Sequence, residues 1–282
     1  MAAMTSTVAE LLRVPPGPVD LSTIDPRSTP GFAGDKAAGK AALAELGGSV
    51  ANLQERLYAA SKAGGQARIL VVLQGMDTSG KGGVIRHSMG LLDPQGVTLA
   101  SFKAPTEEEL SHDFLWRIEK RLPAAGMVGI FDRSQYEDVL ITRVRKLVGV
   151  KEIERRYDAI NDFEQRISDE GTTVVKCMLH ISSDEQKARL QARLDDPSKH
   201  WKFNPGDIDE RKRWGEYQQA YAVALERCDT HAAPWYVVPS DRKWYRNWAI
   251  TRLLLEHLER LDPQYPPGDF DVVEQTARLA AS

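Results

Sequence analysis

The chain has 282 residues, 42% hydrophobic and 27% charged, a globular balance that argues against wholesale disorder or a fibrous repeat and allows one large domain or two small ones. Thirty-seven basic residues against 40 acidic ones leave a formal net charge of −3, so no basic excess advertises nucleic acid as a partner. No apolar run approaches the ~18–20 residues that span a bilayer, and the two cysteines, Cys177 and Cys228, lack the spacing of a thiolate zinc site or a disulfide framework, which makes a reducing cytoplasm the expected compartment.

Residues 1–35 are rich in Pro, Gly, Ser and Thr and read as an arm that wraps a surface or stays mobile. Their start lacks a basic stretch followed by an apolar core, so no secretion signal is expected. Residues 36–63 show helical spacing interrupted by Gly47-Gly48, which predicts a helix or a helix pair. RILVVLQG (68–75) is a continuous apolar run rich in β-branched residues, as in a strand buried on both faces of a parallel sheet. Similar runs follow at 97–102, 127–132, 172–181 and 235–238. Helical patterns lie between and after them, at about 81–91, 106–120, 134–147, 151–170, 183–195, 207–229 and 242–260. Thr106 with Glu109, and Ser183 with Gln186, fit capping boxes that start two of these helices. The alternation predicts an α/β fold of three layers, α/β/α, around a central parallel sheet of about five strands, with ligands beyond the strands' carboxyl ends. The predicted division is an arm and helical extension over 1–50, a main domain over 51–265, and a tail over 266–282 that begins after Tyr265.

Gly75-Met76-Asp77-Thr78-Ser79-Gly80-Lys81 directly follows the first strand and opens a helix. This G-x-x-x-x-G-K pattern lets backbone N–H groups curl around phosphate oxygens, with the helix N-terminus and the lysine adding positive charge. The usual motif continues with a Ser or Thr that ligates magnesium, but Gly82 stands there. Asp77, inside the loop, is the candidate replacement ligand, although an Asp in a loop also forms turns on its own backbone. The strand at 127–132 ends in Asp132, the Walker-B position for a carboxylate that holds magnesium; capping the next helix is the plainer role. Arg133 follows and is placed to clamp a phosphoryl group. Ser134 with Glu137 fits another capping box, and a substrate contact explains Glu137 equally well.

Between the fourth and fifth strands, residues 186–214 mix Lys187, Arg189, Arg193, Lys199, Lys202 and Arg211 with acidic residues in near balance. A solvated, ion-paired helix explains such a run. Its position suits a mobile lid, about 183–215, that excludes water and brings cations to phosphates. Trp201 and Phe203 fit a lid anchor or a buried aromatic pair. The six histidines show no metal-ligand spacing. His112-Asp113 fits a helix surface better than a substrate contact, and Trp235, Trp244, Tyr245 and Trp248 read as core packing.

Five ordered blocks make the chain resemble the polyphosphate kinase type 2 family over about residues 50–262: GMDTSGKGGVIRH (75–87), SFKAPTEEELSHDFLWR (101–117), FDRSQYED (131–138), DPSKHWKF (196–203) and APWYVVPSDRKWYRN (233–247). The resemblance implies a P-loop kinase of thymidylate-kinase-like fold with a helical lid, and Mg2+-dependent, reversible phosphoryl transfer between inorganic polyphosphate and a nucleotide. It assigns catalysis to Asp77, Lys81, Asp132 and Arg133, with Asp77 and Asp132 as the metal ligands. It places Gly75, Thr78, Ser79, Gly80, Gly82, Gly83, Arg86, Lys103, Arg117 and Glu137 in phosphate or nucleotide binding, and Arg189, Arg193, Lys199 and Lys202 in the lid. It also accounts for Gly82, which the family shares. An acidic residue at Glu137, where one branch has Asn, implies AMP as acceptor and sometimes ADP. The implied partners are polyphosphate and adenine or guanine nucleotides, and a second copy of the chain in a dimer or tetramer. Two other functions use the same loop: an ATP-dependent nucleoside monophosphate kinase, and a nucleotide-binding regulator without turnover.

Overall fold

The computed structural model describes residues 6–282. In chain order the elements are α1 (Val8–Leu12), α2 (Lys36–Lys62), β1 (Arg68–Gln74), α3 (Lys81–His87), β2 (Val97–Ser101), α4 (Glu107–Leu110), α5 (Trp116–Glu119), β3 (Val128–Asp132), α6 (Glu137–Val144), α7 (Val150–Asp169), β4 (Thr172–His180), α8 (Ser183–Leu194), α9 (Gly206–Lys212), α10 (Trp214–Cys228), β5 (Trp235–Pro239), α11 (Lys243–Leu261) and α12 (Val272–Ala280). The five strands form one sheet in the order β2-β3-β1-β4-β5, and every pair is parallel. The parallel five-stranded sheet expected from the alternation is therefore present, as in the P-loop kinase fold that the resemblance implies.

Alternate residues of β1 show why the strand reads as one apolar run. Ile69, Val71 and Leu73 join the layer that contains α2 and α11, while Leu70 and Val72 face Phe163 and Ile167 of α7. Both faces are covered, so neither needs a polar residue. The pairing of Leu73 with Asp132 sets the end of β3 beside the start of the phosphate loop. On the other flank β4 ends level with β5 and leads into α8. The loop thus sits at the sheet's carboxyl edge, with Asp132 to one side and α8 to the other.

Several elements depart from the sequence pattern. Gly47-Gly48 does not break α2, which is one helix. The glycine that matters there is Gly39: a Cβ on it would meet the Trp244 ring at 2.1 Å, so its absence lets α2 lie close against α11. The stretch 106–120 splits into α4 and α5, because Asp113 accepts a hydrogen bond from Leu115 N (3.0 Å) and forms a turn of its own. The Thr106–Glu109 capping box does form. The box predicted at Ser183 shifts by one residue: Ser182 caps α8 by accepting from Glu185 N. The 207–229 pattern divides at Arg213.

The N-terminal arm wraps the β5 edge of the sheet. Glu256 of α11 accepts from Val8 N and Ala9 N at 3.0 and 2.9 Å, and Arg13 bridges to Tyr236 of β5. The tail forms α12, capped by Asp271 and with no buried residue, where the sequence pattern suggested no element. Among the described residues no helix is long and apolar enough to cross a membrane.

One buried polar cluster ties the layers together. Lys176 of β4 and Glu164 of α7, both fully buried, pair at 2.5 Å. The lysine also donates to Tyr136 Oη at 2.8 Å and to the Cys228 carbonyl at 2.7 Å. Four segments, including the residue just before α6, meet at this one cation.

Candidate active site

The phosphate loop is drawn into a tight curl by three left-handed residues, Gly75 (φ 151°), Thr78 (φ 64°) and Gly80 (φ 112°). Thr78 is not glycine, so the fold sustains backbone strain of about 1–3 kcal/mol there. The N–H groups of Asp77, Thr78, Gly80, Lys81 and Gly82 find no protein acceptor among the described residues. These open donors and the N-terminus of α3 make an anion cradle.

Side chains behind the loop hold its carbonyls and so turn the donors outward. Gln186 donates to Asp77 O at 3.1 Å. Arg189 donates to Thr78 O and Ser79 O at 2.9 and 2.8 Å and also reaches Ser240 O. Arg246 donates to Ser79 O at 3.2 Å. The Arg246 guanidinium lies so close that a Cβ on Gly80 would meet it at 1.7 Å and one on Gly83 at 2.6 Å. Gly82, by contrast, faces open space.

The acidic side of the site comes from β3 and α6. Asp132 ends β3, and its carboxylate accepts no hydrogen bond from the described residues. Arg133 adopts φ 66°, anchored by its N–H to Leu73 O at 3.0 Å, and this second strained residue turns its side chain to the loop. Its guanidinium pairs with Asp77 at 3.0 Å and with Glu137 at 3.7 Å. The Ser134–Glu137 capping box does not form, because Ser134 lies outside the first turn and Tyr136 stands at the N-cap without a side-chain bond. Glu137 instead faces Arg133, and with the Gln74 amide turned to satisfy both its neighbours, Glu137 accepts from its nitrogen at 3.1 Å while Ser134 donates to its oxygen. Burial raises the Glu137 pKa against the opposing pull of Arg133 and Lys81.

Lys81 donates to Gly75 O at 2.9 Å. Burial and then Arg133 lower its pKa, while Asp77, Asp132 and Glu137 pull it back. All four charged neighbours therefore act on one ammonium, and the residues expected from two separate stretches, the phosphate loop and the end of β3, meet at one place. A small cavity of about 60 Å³ between Asp77, Arg133 and Glu137 is closed by Glu210, Tyr217 and Tyr221. Glu210 of α9 holds that closure by pairing with Arg145, just after α6, and accepting from Tyr217 Oη.

The four cations expected in a lid are each engaged by neighbouring protein groups. Arg189 is buried beneath the loop with its guanidinium saturated by carbonyls and Glu185. Arg193 bonds Lys202 O and pairs with Asp207. Lys199 pairs with Asp196 at 2.7 Å, and Lys202 lies over the exposed Trp201 ring, so the buried aromatic pair is not there. Arg86 and Lys103 are exposed. Arg117 is buried and tied to Lys103 O and Asp138. Sequence reasoning missed Gln186, Glu210, Tyr217, Tyr221 and Arg246 as parts of this region. Arg246 lay inside a quoted block, but only the fold shows it beneath Gly80.

Residues 33–266 match the family described as polyphosphate kinase 2. The chain belongs to that family. It is 48% identical over 252 residues to the AMP/ADP-polyphosphate phosphotransferase of Meiothermus ruber, covering 89% of this chain and 93% of that one. It is 39% identical over 229 residues to the ADP-polyphosphate phosphotransferase of Rhodopseudomonas palustris, covering 77% and 78%. Among solved structures, a polyphosphate kinase 2 from Arthrobacter aurescens superposes with a TM-score of 0.96 at 57% identity over 98% of each chain.

Proposed function

We propose that this polyphosphate kinase 2 transfers a phosphoryl group between inorganic polyphosphate and AMP or ADP, at the loop edge where Lys81, Arg133, Asp77 and Asp132 converge. That convergence beside five open N–H donors carries the reading. The Meiothermus ruber relative, 48% identical over 89% of this chain, is named for both AMP and ADP with polyphosphate.

The chemistry asks little of a base. The acceptor is a terminal phosphate oxygen, already anionic, so positioning and charge neutralisation dominate. The loop N–H groups hold the equatorial oxygens of the transferred group. Lys81 leaves Gly75 O for the phosphate between donor and acceptor. Arg133 exchanges its contact with Asp77 for the acceptor phosphate and remains oriented by Glu137. Closure by Glu210, Tyr217 and Tyr221 keeps water, the competing nucleophile, out. Both reactant and product hold phosphoanhydride bonds, so transfer runs in either direction.

The two aspartates fit Mg2+. Asp132 is unbonded, Asp77 has a single exchangeable partner in Arg133, and no group of three acidic, His or Cys residues forms a closed cage among the described residues. Magnesium favours one or two carboxylates and completes its shell with water and substrate phosphates. Held there, it would neutralise charge on the donor and acceptor phosphates.

Incubation of the purified protein with polyphosphate, Mg2+ and AMP or ADP, with no nucleoside triphosphate added, is expected to yield ADP and ATP, and chelator should stop it. No product from polyphosphate, with ADP formed from AMP and ATP, would identify a monophosphate kinase instead. Nucleotide binding without turnover from either donor would identify a silent regulator.

A further inference from the structure

A second cavity, about 710 Å³, adjoins the phosphate loop and shares no lining residue with the pocket around Asp77 and Arg133. Its walls come from three elements: Lys36 and Lys40 on α2, Gly83 and His87 on α3, and Lys243 and Arg246 at the start of α11. The one acidic lining residue is Asp241, and both its oxygens already accept from Ser182. The protein carries ion pairs over most of its surface, yet Lys36, Lys40, Lys243 and Arg246 take part in none among the described residues.

The charge is also partly buried. Arg246 is 2% exposed and bonds only neutral acceptors, Ser79 O and the Asn247 side chain. Burial and neighbouring Arg189 push its pKa down to about 9, and burial with Arg189 and Arg246 lowers that of Lys243. Uncompensated cations in a half-enclosed groove are costly unless an anion meets them. Arg246 links this groove to the loop directly, since it bonds Ser79 O and packs on Gly80 and Gly83. An anion on the loop donors that is longer than one or two phosphates has the groove as its cationic continuation.

We propose that this groove binds the non-reacting phosphates of a long polyphosphate donor, and that Lys36 and Lys40, in the helical extension before β1, are its outer contacts. The inference rests on the donor reading above. A linear chain with a negative charge on every unit matches a wall of separated cations better than a compact anion does. Lys36 and Lys40 are both exposed on α2, so their removal disturbs no core.

The test compares donors of two lengths. In K36Q/K40Q, KM for long-chain polyphosphate should rise about five- to tenfold and become less sensitive to salt. The kcat, and both constants for tripolyphosphate, should stay within about twofold. K36R/K40R, which keeps the charge, should behave as wild type. Equal loss with both donors, or no change with either, overturns the groove assignment while wild-type turnover leaves the donor reading intact. A wild-type protein that uses neither donor overturns the donor reading, and the groove assignment with it.

Discussion

Replacing Asp132 by Asn is expected to lower phosphoryl transfer by about 10³-fold or more while the protein still folds. The asymmetry follows from what the carboxylate touches. Asp132 sits at the last position of β3, half-buried, and its carboxylate has no hydrogen-bond partner among the described residues, so the isosteric amide leaves packing and backbone unchanged. What it removes is one of the three carboxylates that act on Lys81, and with it one of the two proposed ligands for a divalent ion. A rate assay with polyphosphate and AMP, beside a thermal melt of the same preparation, reads both halves. A folded Asp132→Asn protein that keeps magnesium-dependent turnover would refute the assignment.

The second large effect concerns stability. Lys176→Met strands the Glu164 carboxylate in the interior, where Lys176 is its charge partner and both side chains are fully buried. Burial already raises the Glu164 pKa despite that partner. Breaking one side of a buried pair costs about 3–5 kcal/mol, which in a chain of this size lowers the melting temperature by roughly 6–20 °C. K176M/E164Q should recover at least half of the loss, because the amide can still accept from Tyr136 Oη and Gln135, which now donate to the carboxylate at 2.9 Å each. A single variant that melts within about 2 °C of wild type would show that water or protonation relieves the carboxylate at little cost. The cluster bears on function too: Tyr136 immediately precedes Glu137, so the same contacts fix where α6 begins and where Glu137 points.

The sheet was legible because its strands are buried on both faces and therefore read as unbroken apolar runs, and because each loop motif followed one of them directly. Asp77, Lys81, Asp132 and Arg133 could be paired before any coordinates, since parallel strands put their carboxyl ends on one edge. What the sequence withheld was the direction of side chains. Arg189 and Arg193 share a helix face, yet one runs beneath the loop and the other pairs within the lid. Ser134 and Glu137 have capping-box spacing, but the helix starts two residues later than a cap at Ser134 requires, and the carboxylate turns to the site instead. Tyr217 and Tyr221 look like any helical aromatic pair until α10 is packed against α6. The helix through Gly47-Gly48 was ambiguous because glycine weakens a helix without saying whether a neighbour compensates; here α11 does.

The rest depends on Asp77 and Asp132 gripping one divalent ion, which manganese can report in place of magnesium. Electron paramagnetic resonance of the protein with Mn2+ and ADP should detect one bound ion in the wild type and at least about tenfold weaker binding in each of Asp77→Asn and Asp132→Asn. Wild-type affinity in either variant would mean that its carboxylate does not hold the ion, and the shared site would have to be abandoned.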